Sequence, residues 1–464
     1  MKNLSILFSL VILSLLALSV MGDFVPHEKS RWALIDSLIT GKGFEVDPHI
    51  AGLDVAKFDD HYYSAFSPGL SLLLSPYTLL VRILFGGGFP EILALRFLSI
   101  AVTTFSAIVI YKLLSRFSSR RSAIISTMLI IYATPIYAFS ETIFSHIYVM
   151  LFLMLSLYYL LNLEKASSRM IVSTSLAMAF LIEYQSIITF LPIYIYCILQ
   201  KKKLRDVAIY LIPLSIVLGF HLYYNFVIFK HPLNFPEKFW IGYPSRPAET
   251  LHMFSTPLHL GLYMILFSPE NGLFMISPIL LLAIFGFKRL WRLNRWLTIL
   301  ILNLWLINLL FYSTWHLPWG GSSFGPRFLI PLIPTLSIPL SLMIDEKIRN
   351  CDPLKIFPLF VIAFYSVATS TLGAITSPDI LFNGVIYDLI VNGARCLPLS
   401  WIKLNPMISI TYWIIITIII SCIISYLSFQ KEHDHQTYLN ADLTYRISLA
   451  EINKITARML KIKI

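Results

Sequence analysis

Long apolar runs separated by clusters of lysine and arginine constrain this chain more than any other feature. Leu4–Met21, Leu297–Phe311 and Ile408–Phe429 reach or approach the roughly 20 residues that a helix needs to cross the hydrocarbon core of a bilayer. None of these runs alternates apolar with polar residues, so helices rather than a β-barrel satisfy the backbone. The composition agrees. Charged residues are only 13% of the chain and hydrophobic ones 57%, with a mean hydropathy of +0.74, whereas a soluble domain carries about 25% charged residues. The formal charge of +11 does not indicate nucleic acid, because the basic clusters sit between apolar runs, where cytoplasmic loops of membrane proteins keep them. The four cysteines (Cys197, Cys351, Cys396, Cys422) have no zinc-like spacing, and on the topology below only Cys396 lies outside, so no intramolecular disulfide is expected.

The basic clusters set the topology. Arg116–Arg121, Lys165–Arg169, Lys201–Arg205, Lys288–Arg295 and Lys347–Arg349 are all assigned to the cytoplasm. An even number of spans must then separate each from the next. Polar breaks supply the turning points: Ser140–Glu141, Glu183-Tyr184-Gln185, the stretch after Phe229, and Ser313–Arg327. Spans near Leu354–Leu372 and Ile408–Phe429 return the chain to the cytoplasm. The run after Lys2 resembles a signal peptide but lacks a small-x-small cleavage site before Asp23, and is read as an uncleaved first span. Leu70–Phe85 holds Pro76 and Arg82 and would invert every later cluster if it crossed, so it is expected to lie in the interface or re-enter. The resulting expectation is an all-α polytopic bundle of about 12 spans, with both termini cytoplasmic. A transmembrane domain covers 1–430, including a long first outer loop at 23–90. In the remaining segment, 431–464, Leu443, Ile447, Ile452 and Ile455 recur at helical spacing, as in an amphipathic surface helix.

The topology gathers unusual polar residues on the outer face. The first outer loop carries Glu28, Arg31, Asp54, Lys57, His61, Tyr62 and Tyr63, and later outer breaks carry His146, Glu183 and the run Trp315–Arg327. The middles of the spans are nearly free of charge, unlike a transporter, which keeps ionisable sites near the midplane. Carboxylates can take the proton of an attacking hydroxyl. Arginine can pair with phosphate oxygens and stabilise charge on a leaving group. Such residue types suit sugar transfer from a lipid-linked phosphosugar.

Four ordered segments sharpen this reading. They are His27-Glu28-Lys29-Ser30-Arg31-Trp32-Ala33; His61-Tyr62-Tyr63-Ser64-Ala65-Phe66-Ser67-Pro68-Gly69; Phe267-Ser268-Pro269-Glu270-Asn271-Gly272-Leu273; and Trp319–Arg327. Together they resemble the GT-C glycosyltransferases, particularly bacterial and archaeal relatives of protein O-mannosyltransferases and lipid A aminoarabinose transferase. The resemblance implies a polyprenyl-phosphate sugar donor, inversion at the anomeric carbon, and a glycan, lipid or protein acceptor reached among membrane lipids. It also implies juxtamembrane helices and a carboxylate base in the first outer loop, 23–90. Counting three residues back from Arg31 puts Glu28 at that place, with Asp54 the alternative. Arg31, Lys57, His61, Tyr62, Tyr63 and Arg327 are expected to bind substrate. The lysine that the family keeps near its second motif is replaced by Ala65 or Phe66. No metal-ligand set is assigned, although Asp59, Asp60 and His61 form a cluster compatible with a divalent ion. A transporter or lipid flippase, and a non-catalytic envelope-assembly subunit, are the competing readings.

Overall fold

The computed structural model describes residues 12–13, 16–17, 20, 24–199, 204–241, 253–350, 353–396 and 406–429. Most of the expected first span, together with Asp23, the Lys201 end of one basic cluster, Cys351 and the 431–464 tail, lies outside the described residues.

The polypeptide is mostly helical. Helices α1 (Pro26–Ile39) and α2 (Pro48–Ala51) precede a hairpin of β1 (Val55–Phe58) and β2 (His61–Ser64), after which α3 (Gly69–Phe85) leads into α4 (Phe89–Leu114). The hairpin is the one amendment to an all-α architecture among the described residues. Its register pairs Lys57 with Tyr62 and Phe58 with His61. Asp59 and Asp60 form the turn with φ of 48° and 63°, the left-handed pair that a two-residue hairpin loop requires.

Five described helices are long and apolar enough to cross a membrane: Phe89–Leu114, Val207–Phe229, Arg295–Ser313, Phe357–Ile375 and Met407–Tyr426. The chain is thus a multi-pass membrane protein. Among the described residues, Gly69–Phe85, Ser145–Leu160, Ala166–Ile182 and Ser186–Ile198 are apolar but shorter. The turning points read from the charges are the helix breaks in the structure. Helices α5 (Arg120–Tyr132) and α6 (Ile136–Phe139) are separated from α7 (Ser145–Leu160) by a break that includes Glu141, and α8 (Ala166–Ile182) from α9 (Ser186–Leu199) by one at Glu183. Helix α10 (Leu204–Phe229) follows, and the expected return span is divided into α11 (Leu258–Leu266), α12 (Leu273–Ile276), a 3-10 turn and α13 (Ala283–Leu293).

Backbone exposed by a break in a lipid-solvated bundle must find partners inside the protein. The 133–144 segment does so through its own hydroxyls and through distant elements. Thr134 Oγ1 donates to the Ile130 carbonyl and Thr103 Oγ1 to that of Ser140. The Ile143 N–H donates to a carboxylate oxygen of Glu28. Helix α3 carries Leu80, Ile83, Leu84 and Phe85 exposed, while its opposite face packs on α1. Ser71 Oγ donates to the Arg31 carbonyl, and Arg82 pairs with both Asp36 and Glu91. A one-sided helix with an apolar free face is the form expected of an interfacial segment.

Candidate functional site

Helix α1 divides its polar residues between two surroundings because consecutive helical residues are about 100° apart. Glu28 turns into the bundle. Its carboxylate receives both terminal nitrogens of Arg96 on α4, at 2.8 and 2.9 Å. It also accepts the Val25 N–H at 2.9 Å and the Ile143 N–H at 2.8 Å. Both side chains of the pair are fully buried. All four acceptor positions of the carboxylate are occupied, so Glu28 ties α1 to α4 and to the broken segment.

His27, its neighbour, faces a cavity of about 430 Å³ instead. Its Nδ1 lies 2.6 Å from Asp54 Oδ2, and its Nε2 lies 4.0 Å from Asp379 Oδ1. Asp379 Oδ2 accepts the His27 backbone N–H at 3.5 Å. The edges of Phe66 and Phe144 hold the imidazole from the sides. Burial pushes the Asp379 carboxyl up to about 6, with His27 and Arg327 opposing that rise. One oxygen of Asp54 and one of Asp379 are buried with no hydrogen-bond partner.

Arg31 follows His27 by one helical turn and so opens onto the same cavity. Its guanidinium stacks 4.1 Å above the Phe66 ring, donates to Ser145 Oγ at 3.2 Å, and lies 3.8 Å from Glu183. Ser145 Oγ in turn donates to Glu183 at 2.5 Å. Burial lowers the Arg31 pKa, Glu183 opposes the shift, and the nearby positive charge of Arg327 adds to it.

Arg327 comes from the far end of the chain. Helix α14 (Arg295–Ser313) ends beside the cavity, and the segment 314–326 folds over it before a 3-10 turn begins at Arg327. Gly320, Gly321 and Gly325 all have positive φ, a region that side chains with a Cβ rarely adopt. At Gly320 a Cβ would also sit 2.7 Å from the Arg327 Cγ and Nε, so this glycine leaves the space through which the arginine reaches the cavity. Asn271, from the third motif, accepts the Gly325 N–H at 2.6 Å. The Pro378 carbonyl accepts the Phe324 N–H at 2.8 Å, which sets the loop beside Asp379. Arg327 is buried between the faces of Phe144 and Phe328.

Of the residues expected to bind substrate, Arg31 and Arg327 meet at the cavity, and Asp54, the alternative base, reaches it through His27. Glu28, expected as the base, points the other way. Lys57, His61, Tyr62 and Tyr63 lie on the hairpin away from the cavity lining. Lys57 pairs with Asp60 at 3.0 Å and exposed His61 with Glu45 at 3.0 Å, while Tyr63 packs on Phe229. Phe66, one of the two residues at the expected lysine position, forms a wall under Arg31. His27, Ser145 and Asp379 were not anticipated as site residues. His27 is a histidine one place from the expected acid, but no motif marks Asp379. Among the described residues no group of three or more His, Cys, Asp or Glu side chains is arranged to hold a metal ion, and Asp59 and Asp60 are turn residues.

Helix α1, Phe66 just after the hairpin and the glycine-rich loop thus bring two arginines to one cavity of this polytopic bundle. Within it, residues 67–224 match the model of the dolichyl-phosphate-mannose-protein mannosyltransferase family. The structure is similar to that of ArnT from Cupriavidus metallidurans in the apo state, with 14% identity and a TM-score of 0.51 over 92% of this chain and 77% of that one. It is equally similar to ArnT from the same organism bound to undecaprenyl phosphate, with 13% identity and a TM-score of 0.51 over 92% and 76% of the two chains. At such identities the likeness establishes the fold. No curated protein matches the sequence.

Proposed function

We propose that this protein is an inverting glycosyltransferase that moves a sugar from a polyprenyl-phosphate donor to an acceptor hydroxyl inside this cavity, at the outer face of the membrane. The observation that carries the proposal is the meeting of Arg31, Arg327 and the His27–Asp54 pair on one enclosed surface. The undecaprenyl phosphate bound by the ArnT neighbour supports the donor class.

In this reading the donor phosphate lies between Arg31 and Arg327, which neutralise the charge that grows as the bond to the sugar breaks. The acceptor oxygen attacks the anomeric carbon from the opposite side, and the bonding pair leaves with the lipid phosphate, inverting the centre. His27 Nε2 takes the acceptor proton. Asp54 accepts the Nδ1–H, which fixes the tautomer and stabilises the imidazolium, and Asp379 adds a second carboxylate 4.0 Å from Nε2. Glu28 acts through position only: by anchoring α1 it sets the direction of His27 and Arg31.

The test is His27→Gln in purified full-length protein, with radiolabelled polyprenyl-phosphate sugars and membrane-extract acceptors. Turnover is expected to fall by about 10²–10⁴, the range for losing a general base, while donor binding is retained. Unchanged turnover would remove His27 from the reaction.

A further inference from the structure

A second cavity, of about 640 Å³, opens where α13, α15 (Ser337–Asn350) and α16 (Pro353–Ile375) converge. Helix α14 starts beside this cavity at Arg295 and ends beside the first one at Ser313. Its 19 residues span about 28 Å at 1.5 Å each, close to the thickness of a hydrocarbon core. The second cavity therefore lies at the opposite membrane face from the candidate active site, and no step proposed above uses it.

Its walls have two characters. Phe285, Lys288, Arg289 and Arg292 occupy one face of α13 at spacings of three and four residues, and Lys347 approaches from α15. Arg289 is committed to the structure, since it pairs with buried Asp345 at 3.2 Å and donates to the Leu342 carbonyl. Lys288, Arg292 and Lys347 make no ion pair among the described residues, and Glu346 is the one acid that lines the cavity. Three cations against one acid leave a net charge of +2. The remaining wall is apolar: Leu282 and Phe285 on one side, Pro358, Leu359 and Ile362 on the other. Phe285 and its neighbour Ile284 are mostly exposed, so the cavity continues into the lipid-facing surface.

Two of the helices that form it, α13 and α15, pack closely. Gly286 packs against α15 so closely that a Cβ would stand 1.8 Å from the Pro339 carbonyl oxygen. The wall that α13 and α15 make together is thus built into their packing.

We infer that this cavity binds the headgroup of an anionic phospholipid, with Lys288, Arg292 and Lys347 around the phosphate and the acyl chains lying along Phe285 and Ile284. A free anion would need the cations alone. The apolar wall that runs out to the bilayer is explained by a ligand that has both a phosphate and hydrocarbon chains. Basic residues near a membrane surface favour anionic lipids by about 1 kcal/mol each, or about fivefold.

Native mass spectrometry of the full-length protein, titrated with phosphatidylglycerol or phosphatidylcholine, tests the inference. The wild-type protein should retain phosphatidylglycerol in preference to phosphatidylcholine. Lys288→Gln/Arg292→Gln/Lys347→Gln should weaken that retention on the order of 100-fold, and Lys288→Arg/Arg292→Lys/Lys347→Arg should preserve it. Phe285→Asp should reduce lipid retention as well. Equal retention of both lipids, or an unaltered preference in the triple glutamine variant, would overturn the inference. Complete displacement of the lipid by millimolar inorganic phosphate would also overturn it, in favour of a free-anion site. Melting curves of each variant separate these results from misfolding.

Discussion

Replacing Glu28 by Gln separates an anchor from a base. In the structure the Glu28 carboxylate accepts four hydrogen bonds, two of them from Arg96, and neither side chain of that pair contacts solvent. A Gln amide keeps one oxygen but aims an NH2 group at donors, leaving the buried guanidinium without its counter-charge. Removing one member of a buried ion pair costs about 3–5 kcal/mol, so Glu28→Gln should melt far below wild type. Arg96→Gln should do the same. Their combination should lose less than the sum of the two, because neither buried charge is then left without its partner, with a coupling of about 2–3 kcal/mol. The assay is thermal unfolding of the purified protein in detergent, paired with turnover per folded molecule. The double variant should recover much of its activity. If Glu28→Gln melted like wild type while turnover fell a thousandfold, and Arg96→Gln did not rescue it, the anchoring argument would be refuted and Glu28 would be the base.

Gly320→Ala should fold but lose at least tenfold in kcat/KM, since its Cβ would sit 2.7 Å from two atoms of Arg327 and displace the guanidinium; unchanged donor kinetics would contradict this. Asp379, with its carboxyl pushed up to about 6 by burial, holds its proton more tightly in the folded protein than in the unfolded chain. It therefore contributes stability that is complete below its ordinary value near 3.8 and is lost as pH rises through about 6. Asp379→Asn should remove that dependence and melt higher than wild type at pH 7.5, and equal pH profiles for the two proteins would exclude it. Lys57→Ala and His61→Ala alter exposed hairpin residues outside the cavity; turnover should stay within about twofold, as surface pairs contribute little, and a large fall would place the hairpin in substrate binding.

What the sequence alone determined was the solvent and the places where helices break. Apolar runs need lipid, lysine and arginine clusters mark one membrane face, and polar breaks such as Glu183–Gln185 have to turn because unpaired backbone is intolerable in hydrocarbon. Arg31 and Arg327 were legible through the ordered motifs that carry the family resemblance, Arg327 also as a guanidinium opening an apolar run at the interface, where a lipid phosphate would lie. The hairpin was hidden because its strands are only four residues long and its turn is made by two aspartates that resemble a metal cluster. Only the tertiary structure decided which polar residues share a cavity. Motif counting put Glu28 at the chemistry, but one helical step of about 100° separates it from His27, and the buried charge of Arg96 captures the glutamate. Asp379 reaches His27 across 352 residues of chain. No local pattern encodes that meeting, because it is fixed by the packing of the glycine-rich loop against the segment after α16.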